Sequence, residues 1–291
     1  MDKLLLAPGP HFTVFGQDIY FYGVVIVCGM IAALVMLGFL FKKFGIKTDA
    51  VYNYALIIIP VAVICARAMF VISEGGSFFD FKSGGLSIMG GLVGGIIMLC
   101  VAAILQKHRI FHIGDLAVPC VAVAQAIGRW GNFLNKELYG QQIFNPSWQW
   151  FPAAVEVGGK YYMALFFYEM LWNLVGAGIM LFLIFKFYRL KDGATRNGLI
   201  FGTYCIWYGG GRFWLEGLRQ PEFIMGTDGF QTSRFICALL LVLGAAALCY
   251  ALWLRPKIQP FWDRVLNRPL TAAEAAAKPP EQSEDEKTDG Q

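Results

Sequence analysis

Seven apolar stretches, roughly 19–40, 51–72, 86–105, 115–134, 164–187, 198–217 and 232–254, run the length of this sequence. Each holds about 20 residues, the length at which an α-helix crosses the hydrocarbon core of a bilayer. Lipid supplies no water to satisfy exposed N–H and C=O groups, so such runs must be helical or closed into a barrel, and 20-residue runs are helices. Composition points the same way: 57% of the 291 residues are hydrophobic and 15% are charged, whereas about a quarter of a soluble domain is charged. The expected fold is an all-α polytopic membrane protein with seven transmembrane helices.

An odd number of crossings puts the termini on opposite sides, and the side rich in Lys and Arg is cytoplasmic. Lys42, Lys43 and Lys47 follow the first stretch, Lys107 and Arg109 the third, Lys186, Arg189, Lys191 and Arg196 the fifth, and Arg255, Lys257, Arg264 and Arg268 the seventh. The alternate loops carry only Lys3, Lys82, Lys136, Lys160 and Arg219. The expectation is therefore an external N-terminus and a cytoplasmic C-terminus. The first 16 residues lack the basic region and apolar core of a cleavable signal peptide, which leaves the first span as the insertion signal.

Residues 1–269 read as one transmembrane domain. Its one long external segment, about 136–162, carries Pro146, Trp148, Trp150, Phe151 and Pro152 and suggests a structure lying at the membrane surface. Phe261 and Trp262, beside Arg264 and Arg268, suggest a short amphipathic piece on the inner leaflet. Residues 270–291 are expected to be a disordered acidic cytoplasmic tail, with six acids and two bases. The formal charge of +4 thus leaves +8 on the remainder, spread over short loops instead of along one face, and nucleic acid is excluded as a partner. All seven cysteines lie in apolar runs without a CxxC pair or a Cys/His cluster, so packing roles are expected and no metal site.

Ionised side chains inside spans are expensive and mark either function or an internal ion pair. Arg67, Arg129, Arg212 and, at a span edge, Arg234 stand out. Arg67 is read as structural, with Glu74 as a candidate partner. Arg129 opens the densest polar constellation, Gly128-Arg-Trp-Gly-Asn-Phe-Leu-Asn-Lys-Glu-Leu-Tyr-Gly140. A guanidinium is a rigid five-donor fork suited to phosphate oxygens, and Asn132, Asn135 and Glu137 bond hydroxyls or orient that fork. Tyr208, Arg212, Glu216 and Arg219 recur at helical spacing and share one face. Glu169 and Asn173, near the outer end of the fifth span, form a further strip. Glu169 needs a cation, and Arg129 and Arg212 are the candidates. Tyr22 places a phenol at the outer end of the first span. The run 84–95 has six glycines in twelve residues; it suits helix packing or a wall beside an acyl chain or headgroup.

The motif GRWGNFLNKELYG at 128–140 resembles the hallmark of the prolipoprotein diacylglyceryl transferases. The resemblance extends to FYG at 21–23, the Gly-rich start of the third span, FYE at 167–169 and YGGGRFWLEGLRQPE at 208–222, and so covers nearly everything but the tail. It implies an enzyme of the bacterial cytoplasmic (inner) membrane with its active site toward the outer leaflet. That enzyme moves a diacylglyceryl group from phosphatidylglycerol to the lipobox cysteine of a preprolipoprotein, forming a thioether and releasing glycerol phosphate, without a cofactor. It also implies Arg129 as the phosphatidylglycerol-binding arginine, with Asn132 and Gly140 on further positions the family holds important; Asn135, which can bond hydroxyls beside them, is added to the binding candidates from its chemistry alone. Arg212, Tyr208, Tyr22 and Glu137 become catalytic candidates, with Glu169 and Glu216 as orienting groups.

One departure bears on the proton transfer: many family members carry histidine in the third-span motif, where this sequence has Met89. Of the three histidines here, His108 and His112 are expected on the cytoplasmic surface and His11 on the outer surface. The thiolate is then expected to form in the field of Arg129 and Arg212, with Glu137, Glu169 or a tyrosine as acceptor. The rival reading is a transporter that holds an anionic lipid in the same arginine cavity. A transporter's internal repeat is not evident in the sequence. A retinal-type receptor is disfavoured because the seventh span has no lysine.

Overall fold

A computed structural model describes residues 11–14, 17–79, 85–188, 196–220 and 232–254. Its seven helices follow the seven apolar stretches: α1 (Phe21–Lys43), α2 (Asp49–Glu74), α3 (Ile88–Leu105), α4 (Ile110–Leu134), α5 (Leu165–Lys186), α6 (Leu199–Glu216) and α7 (Thr232–Cys249), the last continued by a π-helical turn over Tyr250–Leu254. Two antiparallel hairpins accompany them. β1 (His11–Val14) pairs with β2 (Gln17–Tyr20) just before α1, and β3 (Ala154–Val157) with β4 (Lys160–Met163) between α4 and α5. Lys3, Lys82, Gly84, Arg189, Lys191, Glu222, the Phe261/Trp262 piece and the acidic tail lie outside the described residues.

Among the described residues six helices, not seven, are long and apolar enough to cross a membrane: α1 to α5 and Ser233–Leu254. The sixth expected span became a helix of 18 residues, α6, whose hydropathy is lowered by Tyr204, Tyr208, Arg212, Glu216 and four glycines. The same polar residues that fill the site remove α6 from the apolar set. The 136–162 segment folds into a 3-10 turn at Pro146–Trp148 and the β3–β4 hairpin, with Trp148, Trp150 and Phe151 exposed.

The helices pack as pairs: α2 against α3, α6 against α7, and α4 between α1 and α5. The glycine run of α3 serves the first of these. Gly90 and Gly94 are buried, a Cβ at Gly94 would stand 2.6 Å from Cys65 Cβ, and a Cβ at Gly90 would meet the Cys65 carbonyl, so both let α3 approach the α2 backbone. Arg67, also on α2, is 3% exposed and donates to the carbonyls of Ser77 (2.9 Å), Phe78 (3.1 Å) and Gly85 (3.0 Å). It ties the loop after α2 to the bundle.

The start of α6 rests on a buried carboxylate that sequence reading did not single out. Asp115 of α4 is fully buried and accepts from the backbone N–H of Gly198 (2.6 Å) and Phe201 (2.7 Å). These are donors that the first helical turn leaves unpaired. The Tyr188 hydroxyl donates to Asp115 (2.9 Å) and shares a 2.8 Å hydrogen bond with His112 Nδ1. His112 is therefore not solvated surface: it is 5% exposed and stacked on Tyr188, with Phe44 edge-on to both rings. His108 departs from the same expectation, bonding the Tyr54 hydroxyl at 3.0 Å, and burial holds its pKa below the usual imidazole value. Both imidazoles face inward because α1, α2 and α4 converge at this end of the bundle. His11 is exposed in β1, its ring 5.5 Å from that of Tyr20.

Candidate functional site

A tryptophan pair fixes α5 against α6. The rings of Trp172 and Trp207 stack with centroids 4.3 Å apart, and each indole N–H donates to the other residue's carbonyl, at 3.1 and 3.0 Å. Gly176 lies under the Trp207 indole and Gly211 under that of Trp172; a Cβ at either position would collide with the ring. The absent side chains make the interlock possible, and the interlock sets one face of α5, with Glu169 and Asn173, against one face of α6, with Tyr208, Arg212 and Glu216.

Into that seam α4 brings Arg129. The Glu169 carboxylate is the hub: Oε2 pairs with Arg129 at 2.6 Å, and Oε1 with Arg212 at 2.7 Å and Arg219 at 2.9 Å. Glu216, 1% exposed, lies 3.2 Å from Arg212 and 3.5 Å from Arg219. The three cations differ in access. Arg129 and Arg212 each keep 16% of the side chain exposed, whereas Arg219 keeps 2%. A pocket opens on the accessible pair, lined by Arg129, Glu169, Trp172, Asn173, Tyr208, Arg212 and Leu215. Inside it, two guanidiniums bracket a single carboxylate, which marks out the spacing at which another oxyanion would be held.

The remaining sequence candidates form a second group beside the pocket. The Tyr22 ring packs on Gly131, the residue before Asn132 on α4, and lies within electrostatic reach of both Glu137 and Arg129. Asn132 is buried, and its carbonyl accepts from the Glu137 N–H at 3.0 Å. The turn beyond α4 is tight, with Lys136 (φ 51°) and Leu138 (φ 57°) in the left-handed region that side chains rarely adopt. The Asn135 amide donates to Glu137 Oε1 at 3.4 Å, and burial raises the Glu137 carboxyl above the usual carboxylate range. Gly140 has its N–H committed to the Met163 carbonyl (2.9 Å), while the next residue, Gln141, donates to Leu218 (3.1 Å). That junction bridges Gly140 to Arg219 and holds the chain beyond α6 in the position from which Arg219 reaches Glu169. Arg234 sits away from the pocket, 5.8 Å from the Phe213 ring, and Met89 is 40% exposed on the first turn of α3.

Sequence reasoning put Arg219 on the helical face of Tyr208, Arg212 and Glu216 and gave it no role; the structure ends α6 at Glu216 and brings Arg219 to Glu169 from the chain beyond the helix. Its signal was the i, i+3 spacing from Glu216. The reading also passed over Gln125 and Tyr204. Gln125 donates to the Tyr204 hydroxyl at 2.9 Å, and Tyr204 stacks on Tyr208, which extends the polar face one turn below the pocket.

A family model described as prolipoprotein diacylglyceryl transferase matches residues 10–250. The chain belongs to that family. Relatives named phosphatidylglycerol–prolipoprotein diacylglyceryl transferase, from Streptococcus pyogenes serotype M5 (strain Manfredo) and serotype M49 (strain NZ131), are each 34% identical over 237 residues. The matched region covers 78% of this chain and 88% of either relative. The family-model match takes in the helices that supply Arg129, Glu169 and Arg212, so the ion-pair hub falls inside it.

Proposed function

We propose that this chain transfers the diacylglyceryl group of phosphatidylglycerol to the lipobox cysteine thiol of preprolipoproteins. The thiol sulfur bonds to the glyceryl carbon, the bond from that carbon to the phosphate oxygen breaks, the thiol proton passes to an acceptor in the site, and glycerol phosphate departs. The observation that carries this reading is the pair Arg129 and Arg212, presented by separate helices to one pocket around a shared carboxylate. Negative charge grows on the leaving phosphate as the bond to carbon breaks. Fixed cations aimed at that charge are the largest single aid an enzyme can give such a step.

Arg129 binds the phosphate in this account, with Asn132 and Asn135 beside it. Gly140 contributes by closing the loop, since its N–H is already used. Arg212 stabilises the leaving group from the opposite wall, Tyr208 orients it, and Tyr22 and Glu137 line the approach of the thiol. Glu169 and Glu216 orient the arginines. A few per cent of a cysteine thiol is already ionised near neutral pH, so thiolate forms in the field of the arginines without an imidazole at position 89.

Residues 1–269 then form the catalytic membrane domain in the bacterial cytoplasmic membrane, with the N-terminus external, the C-terminus cytoplasmic and the pocket toward the outer leaflet. The 18 residues of α6 reach about 27 Å at 1.5 Å per residue and make the seventh crossing, packed on α7, α5 and α4 with Ile206, Phe213 and Trp214 facing outward. The exposed Trp148, Trp150 and Phe151 lie at the outer interface, where amphipathic rings are favoured. Incubating the purified protein with phosphatidylglycerol and a lipobox peptide tests the reading. The expected result is a peptide heavier by one diacylglyceryl group together with stoichiometric glycerol phosphate. Lipid translocated across a vesicle with the peptide unmodified would establish the transporter instead.

A further inference from the structure

The charges around Glu169 can be counted. Arg129, Arg212 and Arg219 contribute three positive charges, and Glu169 and Glu216 two negative ones, all joined by contacts of 2.6 to 3.5 Å. The cluster therefore carries one net positive charge. Its carboxylates are 5% and 1% exposed, and counter-ions from solvent do little to adjust that balance.

Resting on the transfer reading above, we propose that Glu169 sets this net charge so that the site holds a monoanionic phosphodiester and releases the dianionic phosphate monoester that the reaction generates. A phosphodiester headgroup bears one negative charge and neutralises the cluster. The monoester product bears close to two near neutral pH. Bound in the same place it would leave a negative charge uncompensated beside two buried carboxylates, which is unfavourable. The guanidiniums stabilise the partial charge that develops on the departing oxygen, whereas the full second charge of the completed monoester exceeds what the cluster carries, and product retention is limited for that reason.

Access fits this division of labour. The partly accessible arginines, Arg129 and Arg212, offer their forks to the ligand, while the buried Arg219 keeps Glu169 tethered when the ligand takes its place between the other two. Without Arg219 a displaced carboxylate would be buried with no cation. This also explains why a third arginine is needed at a site where only two face the pocket. A zwitterionic headgroup brings an additional positive charge and is rejected on the same count.

Two soluble probes differ only in charge and size: glycerophosphoglycerol, a monoanionic diester, and glycerol phosphate, a monoester. Inhibition of transfer by each is measured in the wild type, Glu169→Gln and Glu169→Asp, with full-length protein in phosphatidylglycerol vesicles. The wild type is expected to bind the diester at least as tightly as the monoester. Glu169→Gln raises the cluster to two positive charges and should reverse the order, tightening glycerol phosphate about tenfold or more and lowering kcat through product retention. Glu169→Asp keeps the charge and should keep the wild-type order. A wild type that prefers the monoester overturns the proposal, even if the Gln variant fails to fold. Loss of affinity for both probes in a folded Glu169→Gln variant also overturns it, because the carboxylate would then be only a scaffold. Failure of the wild type to modify the peptide at all would instead defeat the underlying transfer reading.

Discussion

Arg129 and Arg212 present guanidinium groups to the pocket, and their geometry matters as much as their charge. A lysine at either position keeps the cation but gives up the planar two-pronged contact. Arg129→Lys is accordingly expected to lower the transfer rate by about 100-fold, the loss seen when one preorganised donor to a developing oxyanion is removed, while the protein still inserts and folds. Near-normal turnover in a kinetic comparison with the wild type would leave charge alone as the requirement. Most of the site was visible at this scale. An arginine inside an apolar run, followed within eight residues by two asparagines and a glutamate, has no good reading in a lipid-facing helix. What stayed hidden was the pairing of the third arginine with Glu169, because Arg219 lies beyond the end of α6 and its burial depends on the junction of Gly140 and Gln141 with Met163 and Leu218.

At the scale of elements the site depends on how α6 is held at each end. Its first turn sits on Asp115, and a buried carboxylate that satisfies two backbone donors is costly to lose. Asp115→Ala is expected to destabilise the fold by about 2–4 kcal/mol, read from thermal or denaturant unfolding in detergent. A shift within error would mean that other groups satisfy those N–H donors. Farther along, Gly211→Ala forces a methyl into the Trp172 ring and must part α5 from α6. Displacing Glu169 from Arg212 by about an ångström should reduce kcat/KM by up to about 100-fold, with a smaller loss of stability. The existence and approximate bounds of the helices were legible because apolar runs of this length have few alternatives in lipid. Neither the Trp172–Trp207 interlock nor the inward turn of His112 was legible. Both depend on which faces of different helices meet, and hydropathy carries no record of that.

Across the whole molecule, loop charge gives an orientation that can be tested directly. Lys160→Cys, in the β3–β4 hairpin, should react with an impermeant thiol reagent in intact cells above the level of the native cysteines. Lys47→Cys, in the turn after α1, should react only once the membrane is opened; the reverse pattern would invert the topology. Among the described residues six helices instead of seven pass as apolar spans, because the helix carrying Tyr208, Arg212 and Glu216 gives up hydropathy to the polar residues of the candidate site. The bundle exists, on this account, to bring arginines from α4 and α6, more than 80 residues apart in the chain, onto one phosphate. A double-mutant cycle tests that claim most directly, using kcat/KM for phosphatidylglycerol in Arg129→Gln, Arg212→Gln and the double variant. If both hold the same leaving phosphate, each single change should cost about 100-fold and the pair less than about tenfold more than either alone. Losses that multiply to about 10,000-fold would place the two arginines at independent tasks and contradict the shared seat.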